Sequence, residues 1–585
     1  MADYRAPTRD LLFVLQEVLD AERIRRLPGY DDYDPDTVAA IVDEAGRFAA
    51  QVLAPLNRVG DQQGAHWSAD GVAAAPGFGD AYRQYVDAGW NGLTGSTAFG
   101  GMGMPRVLGS VATEFWNAAN MSFALCPLLT ASAVEALAHH GSDTLKRIYL
   151  EKLVTGEWTG CMDLTEPQAG SDLAAVRTRA EPDAESDGAY RLYGQKIYIT
   201  WGDHDMADNV VHLVLARLPD APAGVKGISL FLVPKFVLDE DGSPGERNDM
   251  RCVSIEHKLG IHASPTCTIA YGENGHGALG YLVGEPNRGL AHMFTMMNAA
   301  RHKMGVQALG VADRAYQDAL AYARDRQQGG SAIVEHADVK RMLLSMRSQI
   351  DVLRAMCLDA ASQMDIAEAE ADETARSAAQ ARVDVLIPIV KGWGTELGVD
   401  LANTGIQIHG GMGFVEETGA AQYLRDVRIA PIYEGTNGIQ AIDLVGRKLL
   451  RDEGRGMRAF IADMRATADG VTEGSQPHPA LAEALGLLEQ ATDTLLEAGR
   501  GPAMANAFNY LMLCGTVAGG WYAARISDVA RAALSEGTAE ADFYEARQAC
   551  ARFYVRQVLP RARGYAAMVE GGSEVIEVVD TARHL

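Results

Sequence analysis

The apolar residues of this 585-residue chain change their period twice, and nothing else in it constrains the fold as strongly. Across 37–57 they fall at Val38, Ile41, Val42, Ala45, Phe48, Val52, Leu53 and Leu56, the 3.6-residue spacing of an amphipathic helix. Similar patterns at Tyr82–Gly89, Leu108–Asn120, Leu129–His140 and Asp143–Val154 make 1–159 read as an all-helical N-terminal domain. From Gly160 to Gly284 the texture shifts to short strand-like runs at Tyr190–Thr200, Val210–Leu218, Ile228–Val233, Thr266–Tyr271 and Tyr281–Val283. Gly, Pro, Asp and Asn clusters separate them, which predicts an antiparallel barrel or sandwich over 160–285. Helices then return and are long. Val339, Met342, Leu343, Met346, Ile350, Leu353 and Cys357 trace one face, and Leu290–Arg324 and Ala378–Leu401 behave alike. Long apolar faces joined by short links predict a four-helix bundle over 286–460. The polar stretch Gly470–Pro479 reads as a linker, and helical patterns at 480–499, 502–533 and 538–570 add a C-terminal helical domain, 461–585. The expected class is mainly α with a central β domain.

Charge narrows the partners. With 52 basic against 77 acidic residues the net charge is −25, which disfavours nucleic acid and anionic membranes, since both require a basic surface. A polyanionic ligand would need arginines placed locally. The seven cysteines are dispersed, without a CxxC pair or a His cluster at metal spacing, as expected of reduced core thiols. The first residues lack the apolar core of a signal peptide, and no run of about 18 apolar residues suggests a membrane span. A cytoplasmic protein without a metal is expected.

One segment carries chemistry on its face. Between Tyr423 and Gln440, Glu434 stands between an apolar shoulder (Ile429, Ala430, Ile432, Tyr433) and a Gly-Thr-Asn-Gly turn. Apolar neighbours strip hydration from a carboxylate and raise its pKa, which suits a general base for a weak carbon acid. Gly435 and Gly438 let backbone approach a ligand without an intervening Cβ.

Three further blocks accompany it: Met162-Asp-Leu-Thr-Glu-Pro-Gln-Ala-Gly-Ser-Asp172 with Lys196-Ile-Tyr-Ile-Thr-Trp-Gly202, then Arg301 with Tyr322–Gln328, then Gln407-Ile-His-Gly-Gly-Met-Gly-Phe414. Taken singly they support plainer roles: a Pro/Gly turn, a half-buried strand, a solvated helix face, a glycine loop. Taken together, in this order and spacing, the blocks resemble the acyl-CoA dehydrogenases, FAD enzymes that desaturate acyl-CoA thioesters at the α,β bond.

The resemblance covers the whole chain and implies roles. Glu434 becomes the catalytic base; in some members the base precedes the substrate arginine on the bundle helix, but here that position is Ala300. Met162, Leu164, Thr165, Ser171, Tyr198 and Thr200 would meet FAD from the β domain. Arg326, Gln328, His336, Gln407, Gly410, Gly411, Thr436, Asn437 and Gly438 would meet it from the helices. Ser171, Arg301 and Gly435 would touch substrate. Gly329 and Ala337 depart from the family's common Phe and Gln, which weakens the match on the adenine side. Because Arg326 and the Gln407–Gly411 loop act across a subunit interface in that family, a homodimer is implied, with an electron-transferring flavoprotein as acceptor. Ala54–Asn57, Asn209–Ala216 and Glu256–Thr266 are similar to a long subgroup with a C-terminal extension. That implies a short thioether acyl-CoA as substrate, then short or medium straight chains; a flavin oxidase of the same fold is the remaining alternative.

Overall fold

The computed structural model describes residues 3–186, 188–470 and 477–584. The chain gathers into two compact units, one comprising Met1–Arg47, Pro105–Ala118 and Arg301–Leu585, the other Phe48–Met104 and Ala119–Ala300. This division cuts across the four segments expected from the sequence, because the N-terminal segment contributes to both units. Residues 471–476 of the expected linker lie outside the described residues.

The second unit is built on one eight-stranded sheet. Its order is Met250–Ile255, Thr266–Tyr271, Ala189–Thr200, Ala278–Val283, Ser229–Pro234, Asn209–Ala216 and Trp158–Asp163, with Arg179–Pro182 also paired to Ala189–Thr200. All pairs are antiparallel except Trp158–Asp163 with Asn209–Ala216, which run parallel. An antiparallel barrel or sandwich was the expectation; the sheet is antiparallel apart from this one pair. Asn209–Ala216 is buried at every position, as a strand covered on both faces must be. Val211, Leu213 and Leu215 pack with Leu137, Tyr149 and Leu153 of the flanking helices. Val210, Val214 and Ala216 face the opposite core, with Cys161, Ile199, Phe231 and Ile269. A small hairpin, His66–Ser68 with Gly71–Ala73, interrupts the stretch expected to be wholly helical.

The first unit carries the long helices: the C-terminal part of Gly289–Asp325, then Ala337–Ala369 and Glu373–His409. The C-terminal extension packs into this bundle. A Cβ placed on Gly515, in helix Ala507–Glu536, would lie 2.1 Å from Cγ of Trp393. That close approach needs glycine. Tyr522 Oη donates to Asp359 Oδ2 at 2.6 Å in the same interface. Helix Arg106–His140 fuses two expected helices across a non-helical Asn120. It is also long and apolar enough to cross a membrane, against the expectation from the sequence, but its most apolar window is 78% buried, as in a core helix.

Candidate active site

The Glu434 loop sits at the entrance to helix Asn437–Val445, which Thr436 caps by accepting from the N–H of Ile439 at 3.3 Å. Glu434 and Gly435 are both left-handed, with φ of 57° and 82°. For glycine this is free of strain; for glutamate it costs about 1–3 kcal/mol and must be imposed by surroundings. Side chains impose it. Gln440 Nε2 donates to the carbonyls of Glu434 (3.3 Å) and Gly435 (3.1 Å), and Arg301 Nε donates to the Glu434 carbonyl at 3.4 Å. Asn437 N–H closes the loop on the Pro431 carbonyl at 2.9 Å. Tyr433 Oη donates to Gln307, whose Nε2 donates to Asn117 Oδ1 at 2.9 Å, so the residue before the carboxylate is tethered too.

The electrostatics matches what the neighbours predicted. Burial pushes the Glu434 carboxyl above the usual carboxylate range, while Arg301 and Lys391 pull it partly back. Arg301, itself buried, lies 3.7 Å from Asp443. Lys391 is wholly buried, and desolvation holds its ammonium down to about 7, with Glu434 acting against that fall. The Glu434 N–H has no acceptor among the described residues, which leaves a donor beside the carboxylate.

The structure brings Glu434, Gly435 and Arg301 together; a Cβ on Gly435 would lie 3.5 Å from Arg301 Nη2. Thr436 and Gly438 lie in the same turn. Asn437 needs revision as a flavin contact. Its Nδ2 donates to Gly392 O, Thr395 Oγ1 and Glu396 Oε1, and its Oδ1 accepts from Lys391 Nζ at 2.8 Å. The carboxamide is fully used in joining the loop to helix Glu373–His409.

Elsewhere in this unit, Arg326 is exposed and, among the described residues, has no ion-pair partner, as a phosphate-binding guanidinium would require. It opens a two-residue hairpin, Gln327–Gln328 with Ser331–Ala332, turned by the left-handed Gly329 and Gly330. The turn explains why a glycine stands where the family has Phe. His336 Nε2 pairs with the Gln328 carbonyl at 3.1 Å. Gln407, Gly410 and Gly411 are exposed, and a Cβ on either glycine would meet nothing within 4 Å, so the loop presents open backbone.

In the β unit, Met162 and Leu164 share a face of the first strand and its continuation, with Thr165 following, half-buried. Ser171 is exposed. Tyr198 is 60% exposed and left-handed (φ 61°), where the pairing of Ala189–Thr200 with Thr266–Tyr271 shifts register. A bulge of this kind re-aims a side chain, and here it presents a flat aromatic. Thr200 is half-buried at the strand's end. An exposed aromatic in this unit and, in the other, open glycine backbone with an arginine that has no ion-pair partner among the described residues are each groups that a large aromatic dinucleotide could use.

Sequence reasoning missed the buried supports. Glu166 Oε1 and Oε2 accept from Lys196 Nζ (2.8 Å), Thr178 Oγ1 (2.6 Å), Arg177 N–H (2.7 Å) and Gln168 Nε2 (2.6 Å), stapling the loop expected to meet FAD. These donors hold its carboxyl down to about 2 despite burial. Behind Met162, the buried Cys161, Asp163 and His212 hydrogen-bond to one another at 3.1–3.3 Å, with Tyr271 Oη on Asp163 Oδ2 at 2.6 Å. Their spacing along the chain gave no hint of this. Lys391 did leave a trace, as a lone cation in the run Ile387–Trp393.

Known proteins align with this architecture. Models described as acyl-CoA dehydrogenase N-terminal, middle and C-terminal domains match 35–157, 161–273 and 287–450. One described as acetyl-CoA dehydrogenase C-terminal like matches 457–579. The 3-methylmercaptopropionyl-CoA dehydrogenase of Ruegeria pomeroyi is 46% identical, covering 100% of this chain and 99% of its own. A broad-specificity linear acyl-CoA dehydrogenase of Mycobacterium tuberculosis is 33% identical, covering 99% and 98%. An acyl-CoA dehydrogenase of Bacillus anthracis solved in complex with FAD superposes with a TM-score of 0.75 at 21% identity, over 97% of this chain and 92% of that one.

Proposed function

Since the chain belongs to the acyl-CoA dehydrogenase family, we propose that it desaturates 3-methylmercaptopropionyl-CoA, or a close short acyl-CoA, with Glu434 as the base. The observation that carries this is Glu434 itself: pinned left-handed, with burial raising its proton affinity and a donor N–H beside it. Full-length likeness to the Ruegeria pomeroyi enzyme supports the choice of acyl chain.

The chain's own groups account for most of the chemistry. Glu434 takes the α-proton; a raised pKa makes it a stronger base toward a reluctant carbon acid. Its N–H, donated to the thioester carbonyl, stabilises developing enolate charge, an effect worth about 3–4 kcal/mol per donor in comparable sites. Arg301 and Gly435 position the substrate beside that N–H, with Ser171 on the thioester arm. FAD, when bound, supplies the acceptor for the hydride leaving the β-carbon. Met162, Leu164, Thr165, Ser171, Tyr198 and Thr200, with Arg326, Gln328, His336, Gln407, Gly410, Gly411, Thr436 and Gly438, would hold it.

The reading extends to a cytoplasmic homodimer that passes electrons to an electron-transferring flavoprotein. Free, buried cysteines support a reducing compartment. The exposed apolar edge of the glycine loop, with Phe414 90% exposed beside Met412 and Val415, supports an interface there.

Anaerobic mixing of the flavoprotein with a panel of acyl-CoAs tests the substrate. Bleaching is expected to be fastest, by kcat/KM, with the methylthio compound. A straight-chain C4–C8 substrate preferred tenfold or more would reassign the enzyme to the broad-range class, and rapid reoxidation of the reduced protein by O₂ would make it an oxidase. Sedimentation of the holoprotein as a monomer would remove the dimer from the reading.

A further inference from the structure

Lys391 adjoins the loop of the proposed base, and the reaction does not by itself demand a cation there. It lies in helix Glu373–His409 with no exposed surface, and a buried lysine is costly unless its charge is used. Its Nζ donates to Asn437 Oδ1 at 2.8 Å, and Asn437 is three residues after Glu434 in the same loop. Asn437 returns three bonds to Gly392, Thr395 and Glu396, so ammonium, loop and helix form one hydrogen-bonded unit.

We propose that Lys391 is a positioning residue for the reaction: its ammonium, fixed on the Glu434 loop by Asn437, keeps Glu434 ionised and so sets the pH at which the base works. This rests on Glu434 being the base.

The surrounding charges make the lysine's contribution separable. Glu434 is influenced by Arg301 and Lys391, and Tyr433 adjoins it. Lys391 is influenced by Glu434, Arg301 and Glu396. Arg301 already answers Asp443, which also lies 3.5 Å from Arg447. The helix Ala507–Glu536 meets this stretch through Leu511 at Gly392 and Gly515 at Trp393, both apolar contacts, while Gly305 meets Val390. Lys391 thus has no salt bridge of its own among the described residues, and its Nζ is held on the Glu434 loop by Asn437 Oδ1. The sign follows. Removing a nearby cation raises a carboxylate's proton affinity, so a smaller fraction is ionised at a given pH.

The test is the pH dependence of flavin reduction by acyl-CoA in the FAD-loaded holoenzyme, for wild type and for Lys391→Met, Lys391→Gln and Lys391→Arg. In Lys391→Met and Lys391→Gln the acid limb is expected to move up by about one pH unit, a tenfold lower rate on the limb that recovers toward pH 9. Lys391→Arg keeps the cation and is expected to keep the wild-type limb. If Lys391→Met fails to bind FAD, Lys391→Gln, which retains a donor for Asn437, decides. Acid limbs superimposable on wild type in the neutral variants would overturn the proposal while leaving the base assignment intact. That assignment fails separately, on substantial turnover by Glu434→Gln, whatever the lysine variants do.

Discussion

Glu434→Gln retains FAD and the fold but reduces flavin roughly 100- to 10,000-fold more slowly, the range expected when a general base is removed. The amide keeps the length and planarity of the carboxylate, and none of the bonds that pin the loop uses the Glu434 side chain. Gln440 and Arg301 hold its backbone carbonyl, and Asn437 and Tyr433 anchor its neighbours. The left-handed backbone at 434 should therefore survive, and the loss should fall on kcat far more than on KM. Anaerobic stopped-flow bleaching at saturating acyl-CoA measures it. A rate within tenfold of wild type would mean that some other group takes the proton, and Ala300 excludes the bundle-helix alternative. Glu434→Ala is less informative, because it removes the length and planarity of the side chain beside Lys391 and Arg301 as well as its charge.

The same loop shows why part of the site was legible in the sequence and part was not. An apolar shoulder against a carboxylate and two glycines is a local pattern, and local patterns survive in one dimension. The helix–strand–helix texture was legible for the same reason, and Thr266–Tyr271 is a strand where a strand-like run between turn residues placed it. What failed was non-local. The parallel pairing of Trp158–Asp163 with Asn209–Ala216 is invisible because a strand buried on both faces shows no alternation. The family resemblance implied Asn437 as a flavin contact, yet its amide is committed to residues more than forty positions earlier. Glu166 and Lys196 sit within quoted motifs, but only the fold brings them to 2.8 Å. The C-terminal helices were found by period. That they close onto the bundle through Gly515 and Trp393 depends on interlocking shapes, which composition does not encode.

Arg354→Met is expected to destabilise the bundle by about 3–5 kcal/mol, the cost of leaving buried partners without their counter-charge. Arg354 is 1% exposed and donates through Nε and Nη2 to Glu114 Oε1 at 2.9 and 2.6 Å, with a further bond from Nη2 to Asp313 Oδ1 at 3.1 Å. It links the start of helix Arg106–His140, helix Gly289–Asp325 and helix Ala337–Ala369, and so supports the helix that presents Arg301. Methionine fills most of the volume but leaves two carboxylates in an apolar setting. Burial already holds Glu114 above the usual range, with Arg354 as the chief opposing influence. Without it the folded-state pKa rises further above the unfolded value. The folded state then gains stability as pH falls, so the penalty of the substitution should shrink in acid. Denaturant unfolding at neutral and mildly acidic pH measures both effects. Replacing Glu114 and Asp313 by leucine in the Arg354→Met background removes the stranded charges and is expected to recover most of the loss. A single substitution costing under about 1 kcal/mol, or a triple variant no better than the single, would show that the bundle does not depend on this buried charge cluster.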